Sequence, residues 1–385
     1  MNYRRHLEDV ILKPWIEHAP DRAHGGFYGK LDHRWQPDPD APKGLVQHSR
    51  FLWSFSAAYR RTHHPEYRRM ADQARAFLMT HFHDRKHDGW FWSVEADGTP
   101  RDRRKHVYPH SFVIYAFAEY ARAFDDSEAR QTAIDTFQLL EQRARDPGHG
   151  GYRESFTENW AETGQHEDMG ISGRRKSMNS HIHLLEAATT LLPAYPAARA
   201  RLLELLELCI NHIFNPSRAS LDLFFEDDWT RLPSPTSYGH DIELSWLLDE
   251  AAQALGTPDA AVAVTKALAT NTLKGLVTGQ GLHYEGDATG RIVDRRRVWW
   301  VQAEALVGFL NAYQRTRDSA FLKAFEDIRH WICARQADLA LGDWHEETSE
   351  RGPATPGFKG HLWKEPYHQS RACLEAERRT GESHE

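Results

Sequence analysis

The sequence predicts an all-α fold, an (α/α)6 barrel in which six inner helices are enclosed by six outer helices. Three observations support this architecture. Strongly apolar helical segments alternate with amphipathic ones along the 385 residues. Six of the helical segments open with a cluster of His, Trp, Tyr, Gln or Asn, at intervals of roughly sixty to seventy residues, a period typical of helical repeats. A glycine–aromatic segment precedes most of these clusters.

Two classes of helix are distinguished by where their apolar residues fall. Segments 112–118, 184–192, 242–252 and 303–310 are apolar at three- and four-residue spacing or nearly all round, as expected for inner helices buried on both sides. Other segments carry charge on one face, which is typical of half-exposed outer helices. These amphipathic segments are 67–81, 127–144, 197–213, 259–276 and 319–336.

The polar clusters mark where the inner helices begin. They lie at 47–50, 108–110, 179–183, 238–241, 299–302 and 367–369. Glycine–aromatic segments precede them at 25–28, 89–92, 150–152, 281–284 and 342–344, and residues 221–225 replace this segment in the fourth copy. Glycine followed by aromatic residues predicts short hairpin-like loops. Because each loop directly precedes an inner helix, we expect loops and helix starts at one end of the barrel, around a common mouth.

Composition limits the function classes. The net charge of −7 argues against a nucleic-acid partner, and the sequence contains neither a signal peptide nor an apolar run long enough to span a membrane. Three widely spaced cysteines indicate buried thiols in a reducing compartment. We therefore expect a cytoplasmic protein, monomeric or weakly dimeric, with one domain over residues 1–385. The content of 13 Trp and 13 Tyr suits sugar stacking surfaces. Residues 351–360 are the predicted mobile loop beside the last cluster.

Two histidines occupy equivalent places in the repeat. His240 and His368 both lie at the start of a predicted inner helix, and histidine is suited to proton transfer near neutral pH. Glu243 follows His240 by three residues, close enough to orient or charge its imidazole. Arg50 could place positive charge on a developing oxyanion, or alternatively form a salt bridge to Glu304 or another carboxylate.

The third cluster contains two further histidines. His181 and His183 are two residues apart on a helix and do not share a face, which disfavours a metal site built from this pair. Asn179 and His183, four residues apart, do share one. In the fifth cluster, Trp299 and Trp300 offer stacking surfaces, and one of the two is expected to be packing.

Five separated motifs resemble the N-acylglucosamine 2-epimerase superfamily, and within it the cellobiose 2-epimerases and mannose 2-epimerases. They are the segment 43–53, Asn-x-His-x-His-Leu-Leu-Glu-Ala at 179–187, Ser-Tyr-Gly-His-Asp-Ile-Glu at 237–243, Trp-Trp-Val-Gln-Ala-Glu at 299–304 and Trp-Lys-x-Pro-Tyr-His at 363–368. The last form favours the epimerase branch over the aldose–ketose isomerase branch.

The resemblance implies epimerisation at C2 of a reducing-end sugar without a metal or nucleotide cofactor. It implies that His240 and His368 are the catalytic histidines. The implied supporting residues are Arg50, Tyr108, Asn179, His183, Glu243, Trp300 and Trp363, and His181 is added as a substrate-binding candidate. Two positions depart from the family pattern: His48-Ser49 replaces a common Asn-Ala, and Glu365 stands where cysteine is common.

Three alternatives remain open at this point. An aldose–ketose isomerase would return the C2 proton to C1 and form a ketose. A glycoside hydrolase would need two carboxylates around a glycosidic bond. Its candidates are Glu154, Glu226, Asp227, Asp228, Glu285 and Glu346. A non-catalytic sugar-binding or scaffolding protein would need only the tryptophan-rich loops.

Overall fold

The computed structural model describes residues 1–163, 175–349, 351–353 and 357–381. In this part of the chain the α-helices are α1 (Tyr3–Arg5), α2 (Lys13–His18), α3 (Leu45–Thr62), α4 (Pro65–Phe77), α5 (Val107–Phe124), α6 (Ser127–Arg143), α7 (Met178–Leu191), α8 (Arg199–Leu208), α9 (Tyr238–Ala254), α10 (Val262–Thr272), α11 (Trp299–Thr316), α12 (Ser319–Trp331) and α13 (Tyr367–Thr380). Short π-helical segments adjoin four outer helices: His6–Leu12, Leu78–Phe82, Cys209–Ile213 and Ile332–Gln336. Residues Pro196–Ala198 and Leu273–Gly275 form 3-10 turns.

The inner ring is closed. Helices α3, α5, α7, α9, α11 and α13 each contact the next, and α13 returns to contact α3. Most residues of each of these helices are buried, and α13 is buried mainly in its first half. The predicted (α/α)6 barrel is confirmed.

The outer ring consists of α4, α6, α8, α10 and α12, each packed on the inner helix that precedes it in the chain. The five amphipathic segments predicted from the sequence correspond to these helices. The sixth place is filled by the N-terminal α1, His6–Leu12 and α2, of which α1 and His6–Leu12 pack against α13. This helical segment, whose middle is π-helical, was not predicted from the sequence. No helix of the described residues is both long and apolar enough to cross a membrane.

Short antiparallel strands line the mouth of the barrel. The strand before each of α3, α5, α7, α9 and α11 pairs with a strand of the following repeat. The five pairings are Lys43–Gly44 with Ser93–Val94, Lys105–His106 with Ser155–Phe156, Lys176–Ser177 with Phe224–Phe225, Thr236–Ser237 with Glu285–Gly286, and Arg297–Val298 with Glu347–Ser349. A third strand extends three of these sheets: Pro100–Asp102 pairs with Ser93–Val94, Ile292–Asp294 with Glu285–Gly286, and Gly352–Pro353 with Glu347–Ser349. Leu31–Asp32 pairs with Phe358–Gly360, and two hairpins join Phe214–Asn215 to Ser220–Leu221 and Leu276–Val277 to Gly281–Leu282.

The predicted mobile loop at 351–360 is only partly described. Its two ends, Gly352–Pro353 and Phe358–Gly360, are strands of the mouth. Residues 354–356 lie outside the described residues.

A histidine fastens each glycine–aromatic segment of the first three repeats to its inner helix. The Nε2 atoms of His48, His110 and His181 accept hydrogen bonds from the backbone N–H groups of Phe27, Trp90 and Tyr152, with N–Nε2 distances of 3.1, 3.1 and 3.0 Å. The Nδ1 of each ring lies within 3.2 Å of the carbonyl oxygen four residues earlier in the chain. Asp241 and Gln302 accept the equivalent N–H groups, of Leu221 and Leu282, in the fourth and fifth repeats. These polar residues therefore orient the mouth loops.

Candidate active site

All six inner helices contribute side chains to one cavity at the mouth. It has a volume of about 330 Å³. Its lining residues are Arg50, Tyr108, Asn179, His183, His240, Glu243, Tyr284, Trp299, Trp300, Trp363 and His368. The structure thus brings together nine of the ten residues that the sequence analysis selected.

His181 is the exception. It does not line the cavity, and both of its ring nitrogens are engaged by the backbone of its own repeat. Burial lowers the pKa of this imidazole to about 4, which suits a neutral ring that donates at one nitrogen and accepts at the other. The structure therefore places His181 in the framework of the mouth, outside the lining of the cavity. The two-residue spacing, which places His181 and His183 on different faces of the helix, was the signal that separates them, since Asn179 and His183 share a face and both line the cavity.

His368 is held by a carboxylate. Its Nδ1 lies 2.7 Å from Glu304 Oε1, and the ring is buried at the start of α13. Because a carboxylate accepts, Nδ1 carries the proton and Nε2 is left with a lone pair. Burial holds the pKa of His368 well below its usual value, and the nearby Arg50 lowers it further. The neutral imidazole is therefore suited to accept a proton.

His240 faces the same cavity from α9, in a different environment. Its Nδ1 lies 2.7 Å from the hydroxyl of Ser237, which can accept or donate. Burial lowers the pKa of His240 to about 3. The indole of Trp300 lies against both histidines, with ring centroids 4.7 Å from His240 and 5.8 Å from His368. Two neutral imidazoles thus flank one tryptophan on the cavity wall.

Glu243 does not orient His240 as the spacing suggested. It accepts a hydrogen bond of 2.7 Å from Arg371 Nη2, which also donates to Glu304 at 2.7 Å. Burial, reinforced by the charge of Glu304, raises the pKa of Glu243 to about 8 despite Arg371. This shift favours the protonated form of the Glu243 carboxyl group.

Arg50 is paired with a carboxylate other than Glu304. Its Nη1 donates to Glu365 Oε1 at 2.9 Å and its Nη2 donates to the Tyr108 hydroxyl at 3.2 Å. Burial raises the pKa of Tyr108 to about 12, so the phenol keeps its proton. His183 completes this side of the cavity, with its Nδ1 3.0 Å from Glu186 Oε2. Arg50, Tyr108 and His183 thus present hydrogen-bonding groups on one wall.

Sequence reasoning missed the layer of charge beneath the cavity and one aromatic wall residue. Arg371 contacts Glu186 and Tyr367 as well as Glu243 and Glu304, and Tyr284 lines the wall. A signal for this layer existed in the repeat. Arg50, His183, Glu243 and Glu304 each follow by two positions the residue that accepts a loop N–H in their own repeat. Arg371 follows Gln369, which donates to Asp343, by the same two positions. Aligning the copies on that residue would have grouped them.

One group of potential metal ligands lies in this layer. Ligand atoms of Glu243, Glu304 and His368 lie within 4.8 Å of one another. The guanidinium of Arg371 already bridges the two carboxylates, and Glu304 also receives the His368 ring. This donor set is arranged as an ion-pair network around a guanidinium, an arrangement that competes with a metal ion for the same oxygens.

Comparison with known proteins identifies the family. The chain is 36% identical over 384 residues to a cellobiose 2-epimerase of Bacteroides fragilis, covering 97% of both proteins. It is 26% identical to a D-mannose isomerase of Marinomonas mediterranea, covering 88% of this chain and 87% of that protein. The solved structure of cellobiose 2-epimerase from Spirochaeta thermophila is 39% identical, covers 98% of this chain and 96% of that chain, and superposes with a TM-score of 0.91. Residues 26–372 match the N-acylglucosamine 2-epimerase family, so the chain belongs to this family of isomerases.

Proposed function

We propose that the protein is a sugar 2-epimerase that inverts C2 at the reducing end of an aldose, with cellobiose, mannose or both as substrates. One observation carries the proposal: His240 and His368, from α9 and α13, line a single cavity and both contact the Trp300 indole. Inversion needs proton removal on one face of a carbon and proton return on the other. Two imidazoles on different inner helices suit that requirement.

The proposed reaction begins with opening of the sugar ring to the free aldehyde. One histidine accepts the C2 proton at its free ring nitrogen, and the electron pair of the broken C–H bond moves into a cis-enediolate. After rotation about C2–C3, the second histidine takes up a proton from water and delivers a proton to the opposite face of C2. The first histidine releases the proton that it accepted to water, which returns both imidazoles to their neutral forms. Charge and atoms balance, because one proton leaves and one proton returns.

The enediolate oxygen carries negative charge that needs fixed donors. Arg50 is a permanent cation at the cavity, and Tyr108 and His183 lie on the same wall. Burial raises the pKa of Glu243, and in its protonated form this carboxyl group adds a neutral O–H donor. These groups suit stabilisation of the enediolate more than that of the neutral aldehyde.

Aromatic side chains provide the surfaces against which a sugar ring would stack. Trp300, Trp363 and Tyr284 line the cavity and are all partly exposed. Trp363 also meets Trp92 edge to face, with centroids 6.1 Å apart, which extends the aromatic surface beyond the cavity lining. This extension favours a disaccharide as substrate.

The aldose–ketose isomerase reaction is the second candidate, because the D-mannose isomerase of Marinomonas mediterranea is a relative. A single base that returned the proton to C1 would form a ketose from the same enediolate. The hydrolase alternative is weaker. Among the described residues that line the cavity, Glu243 is the only carboxylic acid, whereas glycoside hydrolysis needs two such groups around the bond.

Incubation with cellobiose, and separately with mannose, in D2O tests the proposal. We expect deuterium at C2 of the reducing sugar and formation of the C2 epimer, followed by NMR. Label at C1 with ketose as the main product would assign the isomerase reaction instead. Release of glucose from cellobiose without exchange would assign hydrolysis, and either result would overturn the epimerase assignment.

A further inference from the structure

A buried ion pair stands behind one wall of the cavity. Arg50 lines the cavity, whereas Glu365, which lies two residues before the first residue of α13, does not. Their contact, Nη1 to Oε1 at 2.9 Å, joins side chains that are 4% and 0% exposed. Glu365 therefore reaches the site only through Arg50.

Glu365 is poorly satisfied by its surroundings. Among the described residues, its Oε2 has no hydrogen-bond partner, although the atom is buried. Burial raises the pKa of this carboxyl group, and Arg50 only partly offsets the effect. A buried carboxylate with one unpaired oxygen is costly to the folded state. The contact with Arg50 is thus the main interaction that accounts for a glutamate at this position.

Arg50 is held on several sides. Besides Glu365 and the Tyr108 hydroxyl, it packs over the Phe112 ring, 4.3 Å from its centroid, and over the Tyr367 ring at 4.9 Å. A guanidinium has five N–H donors in a fixed planar fork. When Nη1 and Nη2 are each fixed by one contact, the plane and the direction of the remaining N–H groups are fixed as well.

We propose that Glu365 is the positioning residue for Arg50: it sets where the guanidinium meets the sugar oxygens, and it limits the positive charge that reaches His368. The inference rests on the function proposed above. Arg50 then acts through oriented N–H donors in a nearly neutral pair. A substitution at Glu365 should change both the placement of Arg50 and the charge around the histidine.

The second effect depends on every charged group near His368. Those groups come from four inner helices: Arg50 of α3, His183 and Glu186 of α7, Glu243 of α9, and Glu304 of α11, together with Arg371 of α13 itself. Near Glu365 lie Arg50, His361 and Lys364, and near Arg50 lie Tyr108 and Tyr367. Removing the Glu365 charge leaves Arg50 unopposed by its nearest carboxylate, so the neutral form of His368 is favoured.

Glu365→Ala and Glu365→Gln separate the two effects. In Glu365→Ala, Arg50 loses its anchor, and we expect kcat for C2 exchange to fall about 10- to 100-fold, the range for a misplaced transition-state donor. Glu365→Gln keeps an acceptor oxygen and nearly the same shape but removes the charge. It should keep more of kcat and move the acidic limb of the kcat/KM pH profile to lower pH, because protonation of His368 becomes harder.

Glu119→Ala is the matched control. Glu119 is also a buried carboxylate paired with an arginine, Arg60, at 2.6 Å, but both lie towards the C-terminal ends of α5 and α3, away from the mouth. We expect it to lower the thermal unfolding temperature and to leave kcat per folded molecule and the pH profile unchanged. All rates are divided by the folded fraction from circular dichroism.

The outcomes are distinct. The positioning role would be overturned if the wild-type protein exchanges at C2 and the kcat of Glu365→Ala lies within about twofold of the wild-type value. Loss of a transition-state donor is expected to lower kcat at least about tenfold. An unshifted acidic limb in Glu365→Gln would overturn the charge role, and this variant carries the test if Glu365→Ala does not fold. Absence of C2 exchange in the wild-type protein would instead overturn the proposed function.

Discussion

At the scale of single residues, His240 and His368 differ in the groups that hold their imidazole rings. Glu304 fixes the proton of His368 on Nδ1, whereas the Ser237 hydroxyl leaves His240 free to adopt either tautomer. His368 thus has a defined accepting nitrogen before substrate arrives. His240 can take its tautomer from the substrate. The two histidines occupy equivalent repeat positions but are not chemically equivalent.

We expect the midpoint of the acidic limb of the kcat/KM pH profile for cellobiose to lie below pH 6.5, the ordinary pKa of histidine. An imidazole accepts a proton only when it is neutral, and burial lowers the pKa of His240 to about 3 and that of His368 well below its usual value. Lowered pKa values extend the neutral form to lower pH, so activity should persist there. The measurement is initial rate against pH at low substrate concentration, with folding monitored by circular dichroism. A limb at or above 6.5 would contradict this picture of the site.

The sequence located residues that line the cavity but not the partners of those residues. His240, His368 and Arg50 were found from their cluster positions, and the cavity contains all three. The partner of Arg50 was not predictable, because Glu365 is 315 residues away along the chain and only ring closure brings α13 to α3. The pairing of Glu243 with Arg371 was missed for the same reason. Contacts within one helix can be inferred from spacing, whereas contacts across the ring depend on the three-dimensional closure.

At the scale of elements, the mouth depends on how each glycine–aromatic segment meets its inner helix. Gly26, Gly89 and Gly151 all have positive φ, and a Cβ added to any of them would lie within 2.9 Å of the Nε2 of the fastening histidine. Glycine is required there by both backbone conformation and space. The sequence analysis read these glycines as turn signals. The structure shows that they also admit the imidazole.

Gly89→Ala should therefore destabilise the protein more than an alanine at an open glycine. The new Cβ would lie 2.8 Å from His110 Nε2 and 2.7 Å from the Trp160 ring, at a φ of +76°. Gly256→Ala is the control, because Gly256 has a similar φ of +71° with no atom within 4 Å of the added Cβ. We expect about 1 kcal/mol for the control, from backbone strain alone, and about 2–4 kcal/mol for Gly89→Ala. Equal losses in chemical denaturation would show that the close approach to His110 contributes nothing.

Buried lysine–aspartate pairs reinforce the same elements. Lys43, Lys105 and Lys176, each in the strand before an inner helix, contact Asp21, Asp84 and Asp146 of the preceding loop at 2.7–2.8 Å. Lys359 and Asp338 form the corresponding contact in the last repeat. The lysine hydrogen bond lowers the pKa of each aspartate despite the opposing effect of burial. These pairs tie a loop to a helix start in four copies of the repeat.

At the scale of the whole molecule, the repeat explains why one site forms. Six inner helices begin at the same end, and closure of α13 onto α3 turns six separate clusters into one cavity wall. The sequence predicted this ring from its period. It did not reveal that the N-terminal segment completes the outer layer against α13, because that contact joins the two ends of the chain.

The central claim is that two histidines on different inner helices act on opposite faces of C2. The most direct measurement is C2 deuterium exchange in D2O for each epimer separately, with His240→Asn and His368→Asn. We expect each variant to lose interconversion of the epimers while still exchanging the C2 hydrogen of one epimer, and the two variants to exchange opposite epimers. Exchange of the same epimer by both variants, or continued interconversion in either one, would contradict the two-base account.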